Sequence, residues 1–249
     1  MTSARRLSWL GHATVLIEVG GARLLTDPAL RGQLLHLRRQ SAPAAVPDEL
    51  DAVLISHVHH DHLDRGSLRL LARAGTEIVV PVGAKALVAD LDFASVHEVQ
   101  VGDTVTLGGG AVVRAVAAWH PSRRHPRAPE IPALGYVVDR VWFAGDTDLH
   151  DDMAALRGQV DVALLPVWGW GTTLGPGHLD PGRAAEAAAL VKPRTAIPIH
   201  WGTYFPLGLA RRHPALLHEP PQQFKAAAAT VAPDTEVVVL EPGATWTDG

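Results

Sequence analysis

An apolar run over 52–56 delivers the chain straight into His57-Val58-His59-His60-Asp61-His62, and this junction restricts the fold more tightly than any other stretch. A short apolar run of this kind reads as a buried strand, so the histidines occupy a loop at a strand end. At this composition a His-x-His-x-Asp-His string is expected roughly 0.003 times by chance in a chain of this length. Imidazoles two residues apart can converge on one cation from a loop, while Asp61 and His62 turn toward a second ion beside it. The plainer alternative is a solvated loop in which histidines happen to cluster.

Other apolar runs end the same way. The run 111–118 leads to Trp119-His120-Pro121, 141–144 to Gly145-Asp146-Thr147, and 195–199 to His200-Trp201-Gly202. If the strands lie side by side, these ends gather along one edge of the sheets. His120, Asp146 and His200 then supply the further ligand types of a two-ion site, including a carboxylate able to bridge. The chain holds 14 histidines and no cysteine, so metal chemistry here runs on imidazole and carboxylate, with no disulfide framework.

The surrounding pattern mixes strands and helices. A strand is expected over 8–19, with Val15, Ile17 and Val19 on one face, then a turn at Gly20-Gly21 and a return strand over 22–26. Residues 28–50 have no clean period and read as a long loop. Asp64 caps a helix over 65–74, and Asp180-Pro181 starts another that runs to about Val191. A strand over 76–81 and a short helix over 84–91 follow the first helix. Strands are expected over 96–107, 111–118, 135–138, 141–144, 160–167, 195–199 and 235–240, with a brief helix over 153–156. There is no internal repeat and no linker.

The order of these motifs, with Asp27 in Thr26-Asp27-Pro28 ahead of them, resembles the metallo-β-lactamase-fold superfamily of metal-dependent hydrolases over nearly the whole chain. The resemblance implies an α/β fold, a four-layer αββα sandwich, as a single hydrolase domain over 1–249 with its site at one edge of the sheets. It implies that His57, His59 and His120 hold one metal, Asp61, His62 and His200 a second, and that Asp146 bridges them. Trp9-Leu10-Gly11-His12-Ala13-Thr14 and Gly175-Pro176-Gly177-His178-Leu179-Asp180-Pro181 look like the branch with ascorbate-6-phosphate lactonase-like proteins and N-acylphosphatidylethanolamine phospholipase D-like enzymes.

Two adjacent divalent ions, zinc first and manganese or iron as alternatives, lower the pKa of a shared water and generate hydroxide. The expected reaction is hydrolysis of a phosphodiester or of a lactone or other cyclic ester. Asp61 would ligate metal and orient the nucleophile, or ligate only. Asp27 would hold a histidine ligand by hydrogen bond, or simply form the turn before Pro28. His178 would bind substrate or protonate the leaving group. His12, in a strand, reads as a packed or hydrogen-bonded core histidine without a catalytic role. Arg123, Arg124, His125 and Arg127 could steer a phosphate or carboxylate, although such runs are more often solvated. Trp168, Trp170, Trp201, Tyr204 and Phe205 suggest apolar pocket walls, and the glycines around Trp170 a loop free to adapt.

A formal net charge of −4 gives no general pull toward nucleic acid, and neither a leader peptide nor a membrane-spanning run is visible. A cytoplasmic protein acting on a small or lipid-like molecule is expected, with room for a homo-oligomer covering 28–50. Two other classes compete. Diiron redox relatives resemble His-x-Glu-x-Asp where this chain has His59, and no flavin-binding domain accompanies it. A non-catalytic metal-binding scaffold would carry the same ligands without turnover.

Overall fold

The computed structural model describes residues 4–248. Strands β1 (Arg6–Gly11), β2 (Thr14–Val19) and β3 (Ala22–Thr26) form an antiparallel meander. The chain then makes the small hairpin β4 (Gln33–Leu34) and β5 (Leu37–Arg39) and returns as β6 (Ala52–Leu54), parallel to β3. Helix α1 (Arg65–Leu71) is followed by β7 (Glu77–Pro81) and β8 (Val96–Val99), both parallel additions.

The second half builds the facing sheet. It comprises β9 (Thr104–Thr106), β10 (Val112–Ala117), β11 (Leu134–Val138), β12 (Val141–Phe143) and β13 (Val162–Pro166). Helix α2 (Pro181–Val191) leads to β14 (Thr195–Ile199) and β15 (Tyr204–Pro206). Helices α3 (Ala215–His218) and α4 (Pro220–Val231) precede β16 (Glu236–Val237) and β17 (Thr245–Thr247). The two large sheets run β17-β1-β2-β3-β6-β7-β8 and β16-β14-β13-β12-β11-β10-β9, and β15-β5-β4 form a third, smaller one.

Period-two alternation decides which face meets which layer. Val15, Ile17 and Val19 of β2 point into the core between the sheets with Tyr136, Phe143 and Leu164. The opposite face of the first sheet, through Leu25, Val53, Ile78 and Val80, packs beneath Leu68 and Leu71 of α1. Small residues of α2 (Ala184, Ala188) and Phe224 and Ala228 of α4 close the outer side of the second sheet. The layers are therefore helix, sheet, sheet, helix, the αββα sandwich expected. Asp64 accepts from the Ser67 amide and Asp180 from the Arg183 amide, as capping demands; removing such a cap costs about 1 kcal/mol. No helix among the described residues is long and apolar enough to cross a membrane.

Several elements differ from the sequence expectation. The strand expected over 8–19 is two strands, because Gly11 (φ 105°) and His12 (φ 56°) reverse the chain between them. A Cβ at Gly11 would stand 2.8 Å from Thr203 Cγ2, so only glycine passes there. The loop expected at 28–50 contains the β4–β5 hairpin, fixed by pairing with β15. The strand expected over 96–107 is broken at the turn before Asp103, and its halves join different sheets. The helix expected over 84–91 is one 3-10 turn, Lys85–Leu87. Only Glu236–Val237 pairs within 235–240, and α3, α4 and β17 were not expected.

Candidate metal centre

Strands β3 and β6 run parallel and end together, which brings Asp27 beside Ser56 and the start of the histidine loop. Asp27 is fully buried, and its amide donates to Leu54 O at 2.9 Å. Its Oδ1 accepts from the Ser56 amide (2.7 Å), and its Oδ2 from Ser56 Oγ (2.5 Å) and His62 Nδ1 (2.7 Å). Since the Ser56 hydroxyl proton is committed to Asp27, its oxygen accepts from His57 Nδ1 at 2.9 Å. One buried carboxylate thus orients two imidazoles.

These bonds set the tautomers. His57 and His62 carry their protons on Nδ1. His120 donates Nδ1–H to Gly177 O (2.7 Å), and His200 donates Nδ1–H to Trp168 O (2.8 Å). In its neutral form each therefore turns an Nε2 lone pair inward. His57 Nε2 lies 3.1 Å and His120 Nε2 3.0 Å from Nδ1 of His59, a three-nitrogen cluster. Beside it, His62 Nε2 and His200 Nε2 are 3.1 Å apart. Asp61 Oδ2 stands 3.6 Å from the first of these and 4.0 Å from the second.

Asp146 lies between the two sets. Its Oδ2 is 3.3 Å from His62 Nε2, its Oδ1 is 3.3 Å from His200 Nε2, and it groups with His120 as well. Oδ1 is buried and accepts no hydrogen bond. An orphaned carboxylate oxygen among converging lone pairs is costly without a cation, and is what a cation would resolve. The residues present therefore fit two metal ions.

Electrostatics favour the ligating form at four of the five imidazoles, His62 being the exception. Burial, reinforced by the neighbouring His62 and His120, holds His57 well below the usual imidazole range. Burial and then His120 push His59 down to about 4. Burial takes His200 down to about 3 against the pull of Asp146, and lowers His120 too. Neutral imidazoles are the ligating form. Burial opposes charge most strongly at His62 also, yet Asp146, Asp61 and Asp27 together raise it well above its ordinary value. Asp61 and Asp146 stay ionised despite burial, held low chiefly by His62 for the former and His200 for the latter.

The structure thus brings His57, His59, Asp61, His62, His120, Asp146 and His200 into one cluster, with Asp27 behind it. His178, a quarter exposed, sets its Nε2 3.6 Å from Asp146 Oδ2. His12 departs from the strand placement. It sits in the turn between β1 and β2, with its ring centroid 3.9 Å from that of His200 and Nε2 3.0 Å from Asp61 Oδ2. The glycine just before it was the signal for that turn.

The arginine loop also differs. Arg124 turns inward to donate to Val58 O (3.0 Å) and Leu63 O (2.6 Å), bracing the histidine loop, and Arg123 pairs with Glu130. Trp201, Tyr204 and Phe205 are core, and Trp168 donates to Gly171 O; of the five expected aromatics Trp170 alone lines the cavity. That cavity of about 340 Å³ opens over His59, Asp61, Asp146, His178 and His200.

The family profile described as Beta-lactamase superfamily domain matches residues 22–201. A UPF0173 metal-dependent hydrolase of Methanopyrus kandleri is 33% identical over 253 residues, covering 97% of this chain and 99% of that protein. Among solved structures, the metallo hydrolase Igni18 of Ignicoccus hospitalis superposes with a TM-score of 0.74 at 23% identity, over 99% of each chain. CmlA, a diiron β-hydroxylase from Streptomyces venezuelae, shares the fold at TM-score 0.70 and 19% identity, over 99% of this chain and 54% of that one. The full-length likeness and the cluster fall together: the chain belongs to the beta-lactamase superfamily domain family and, within it, to the metal-dependent hydrolases of the UPF0173 group.

Proposed function

We propose that this chain hydrolyses an ester bond, in a lactone or other cyclic ester or in a phosphodiester, at a centre of two divalent ions. His57, His59 and His120 would hold one ion, Asp61, His62 and His200 the other, with Asp146 between them. The observation that carries this is the convergence of inward-facing imidazole lone pairs on the two sides of Asp146, whose Oδ1 has no partner. Zinc suits such a nitrogen and oxygen donor set, and manganese or iron could replace it. When bound, the pair would lower the pKa of a shared water toward neutrality and polarise the oxygen that gathers charge.

The chain's own residues supply the rest. Asp27 fixes His62 directly and His57 through Ser56, so both rings keep their lone pairs inward. Asp61 borders the cavity and is held by His12, which suits it to orient the attacking water and take up its proton. His178, on the same cavity wall, is placed to protonate the departing oxygen. The substrate would be a small or lipid-like molecule met in the cytoplasm.

The test is metal analysis of the purified protein alongside hydrolysis of bis(p-nitrophenyl) phosphate and of a simple lactone. We expect close to two ions per chain, turnover of at least one substrate, and loss of turnover on chelation. His120→Ala should lose one ion and cut turnover by about 100-fold or more. Turnover indifferent to chelator, or a protein that binds no metal, would sink the reading.

A further inference from the structure

The cavity over the cluster has two unlike sides. One carries the histidines and carboxylates of the cluster; the other is Leu35, His36 and Leu37 from the β4–β5 hairpin with Trp170 and Leu174 from the glycine-rich loop, apolar but for His36. Among the described residues no lysine or arginine lines it. Arg31 pairs with Asp64, Arg124 donates to backbone carbonyls, and Arg183 pairs with Asp148 at 2.6 Å. A phosphodiester would therefore be met by the metal ions alone, with no side-chain cation on the cavity wall to hold its remaining charged oxygen.

Leu35 adds a second observation. It is 62% exposed, yet a leucine at φ 51° is in a conformation that side chains avoid. Its neighbours Leu34 and Leu37 are buried, and Leu207 N–H donates to His36 O at 3.1 Å, so the hairpin is anchored on β15. The anchored turn presents an apolar side chain to the cavity beside Trp170, whose ring meets His36 edge-on at 5.1 Å.

We infer that the site takes a neutral carboxylic ester whose apolar acyl arm lies along Leu35, Trp170 and Leu174 while its carbonyl meets the His/Asp cluster. This rests on the hydrolase reading and narrows it. Water adds its oxygen to the acyl carbon as the acyl C–O bond breaks. One proton passes to the departing alkoxide, and the products are an acid and an alcohol. The cavity volume, at the low end for small-molecule sites, fits such a compact substrate.

The metal-loaded protein is assayed on p-nitrophenyl acetate, butyrate and hexanoate and on bis(p-nitrophenyl) phosphate. Binding of acetohydroxamic, butyrohydroxamic and octanohydroxamic acids is titrated calorimetrically in parallel. We expect kcat/KM and affinity to rise about twofold or more per methylene, esters to outrun the diester, and Leu35→Ser and Leu174→Ser each to flatten both series. Leu35 is exposed, so its variant should fold normally. Flat series in both readouts with chelator-sensitive ester turnover would overturn the inference and leave the hydrolase reading standing. Preference for the diester would overturn it as well. Chain-length-dependent binding without any turnover would instead support the apolar subsite and overturn the hydrolase reading.

Discussion

Asp61 is the carboxylate with most to gain from being aimed, since it borders the cavity and also belongs to the cluster. What aims it is His12, from a turn nearly fifty residues earlier, through the 3.0 Å contact of Nε2 with Oδ2. The turn itself is pinned: the His12 amide donates to Thr203 Oγ1 at 2.7 Å, and its carbonyl accepts from the His200 amide at 2.9 Å. His12 therefore connects both ends of the site without reaching the cavity. A positioning role predicts that His12→Ala lowers kcat about 10-fold with little change in KM, and that His12→Gln, which keeps a donor, recovers part of the loss. Equal losses in both variants, spread over kcat and KM, would show that the ring serves packing alone. His12 is the buried, hydrogen-bonded histidine expected, but in a turn and not a strand: the alternation of 8–19 continues through it, only Gly11 marks the reversal, and a lone glycine in a strand pattern is weak punctuation.

Among the elements, the histidine loop was legible and its brace was not. The string at 57–62 follows a buried strand, and strand ends are where this fold collects polar side chains. Arg124, by contrast, lies in a Pro- and Arg-rich segment whose composition is the same whether it is solvated or clamped. Its acceptors, Val58 O and Leu63 O, are some sixty residues away in sequence, which no local pattern reports. The same limit explains 96–107, where one apolar alternation serves two sheets, and β4–β5, whose pairing comes from β15. Helix α4 is a different failure, because Pro220-Pro221 followed by Lys225 and four alanines is a strong local helix signal that was passed over. Removing the brace should loosen the loop that carries His59, Asp61 and His62. Arg124→Met is expected to cost about 1–3 kcal/mol in urea unfolding, since it strands carbonyls in a half-buried place. Metal affinity should fall with it, and Arg124→Lys should restore little, as one ammonium cannot match the fork. Unchanged affinity and unchanged stability would mean that the loop stands without Arg124.

Over the whole molecule, charge divides between the two ends of the parallel strands. Asp27, Ser56 and His57, and His200 follow the C-terminal ends of β3, β6 and β14, and that edge is where apolar runs ending in His or Asp placed the site in the sequence. The opposite ends are tied by ordinary ion pairs. Asp161, just before β13, accepts from Arg140 of the neighbouring turn at 2.8 Å and from Arg5, just before β1, at 2.9 Å. Arg5 also reaches Asp248, just beyond β17, at 2.8 Å. One carboxylate thus joins the first sheet to the second. The hydrogen bond from Arg140, and then that from Arg5, holds the Asp161 carboxyl below its ordinary value. A depressed folded-state pKa gives stability that is present above the unfolded value, about 3.9, and lost as pH falls through the folded one. The window is therefore below about pH 4. Solvent screens the pair, so the effect is modest: Asp161→Asn should lower Tm by about 2 °C at pH 7. At pH 3 the gap should be narrower than at pH 7, provided both proteins are stripped of metal so that protonation of the histidine cluster is common to them. A gap that stays the same at both pH values would mean that the clasp acts through packing, and that its charge contributes nothing to holding the sheets together.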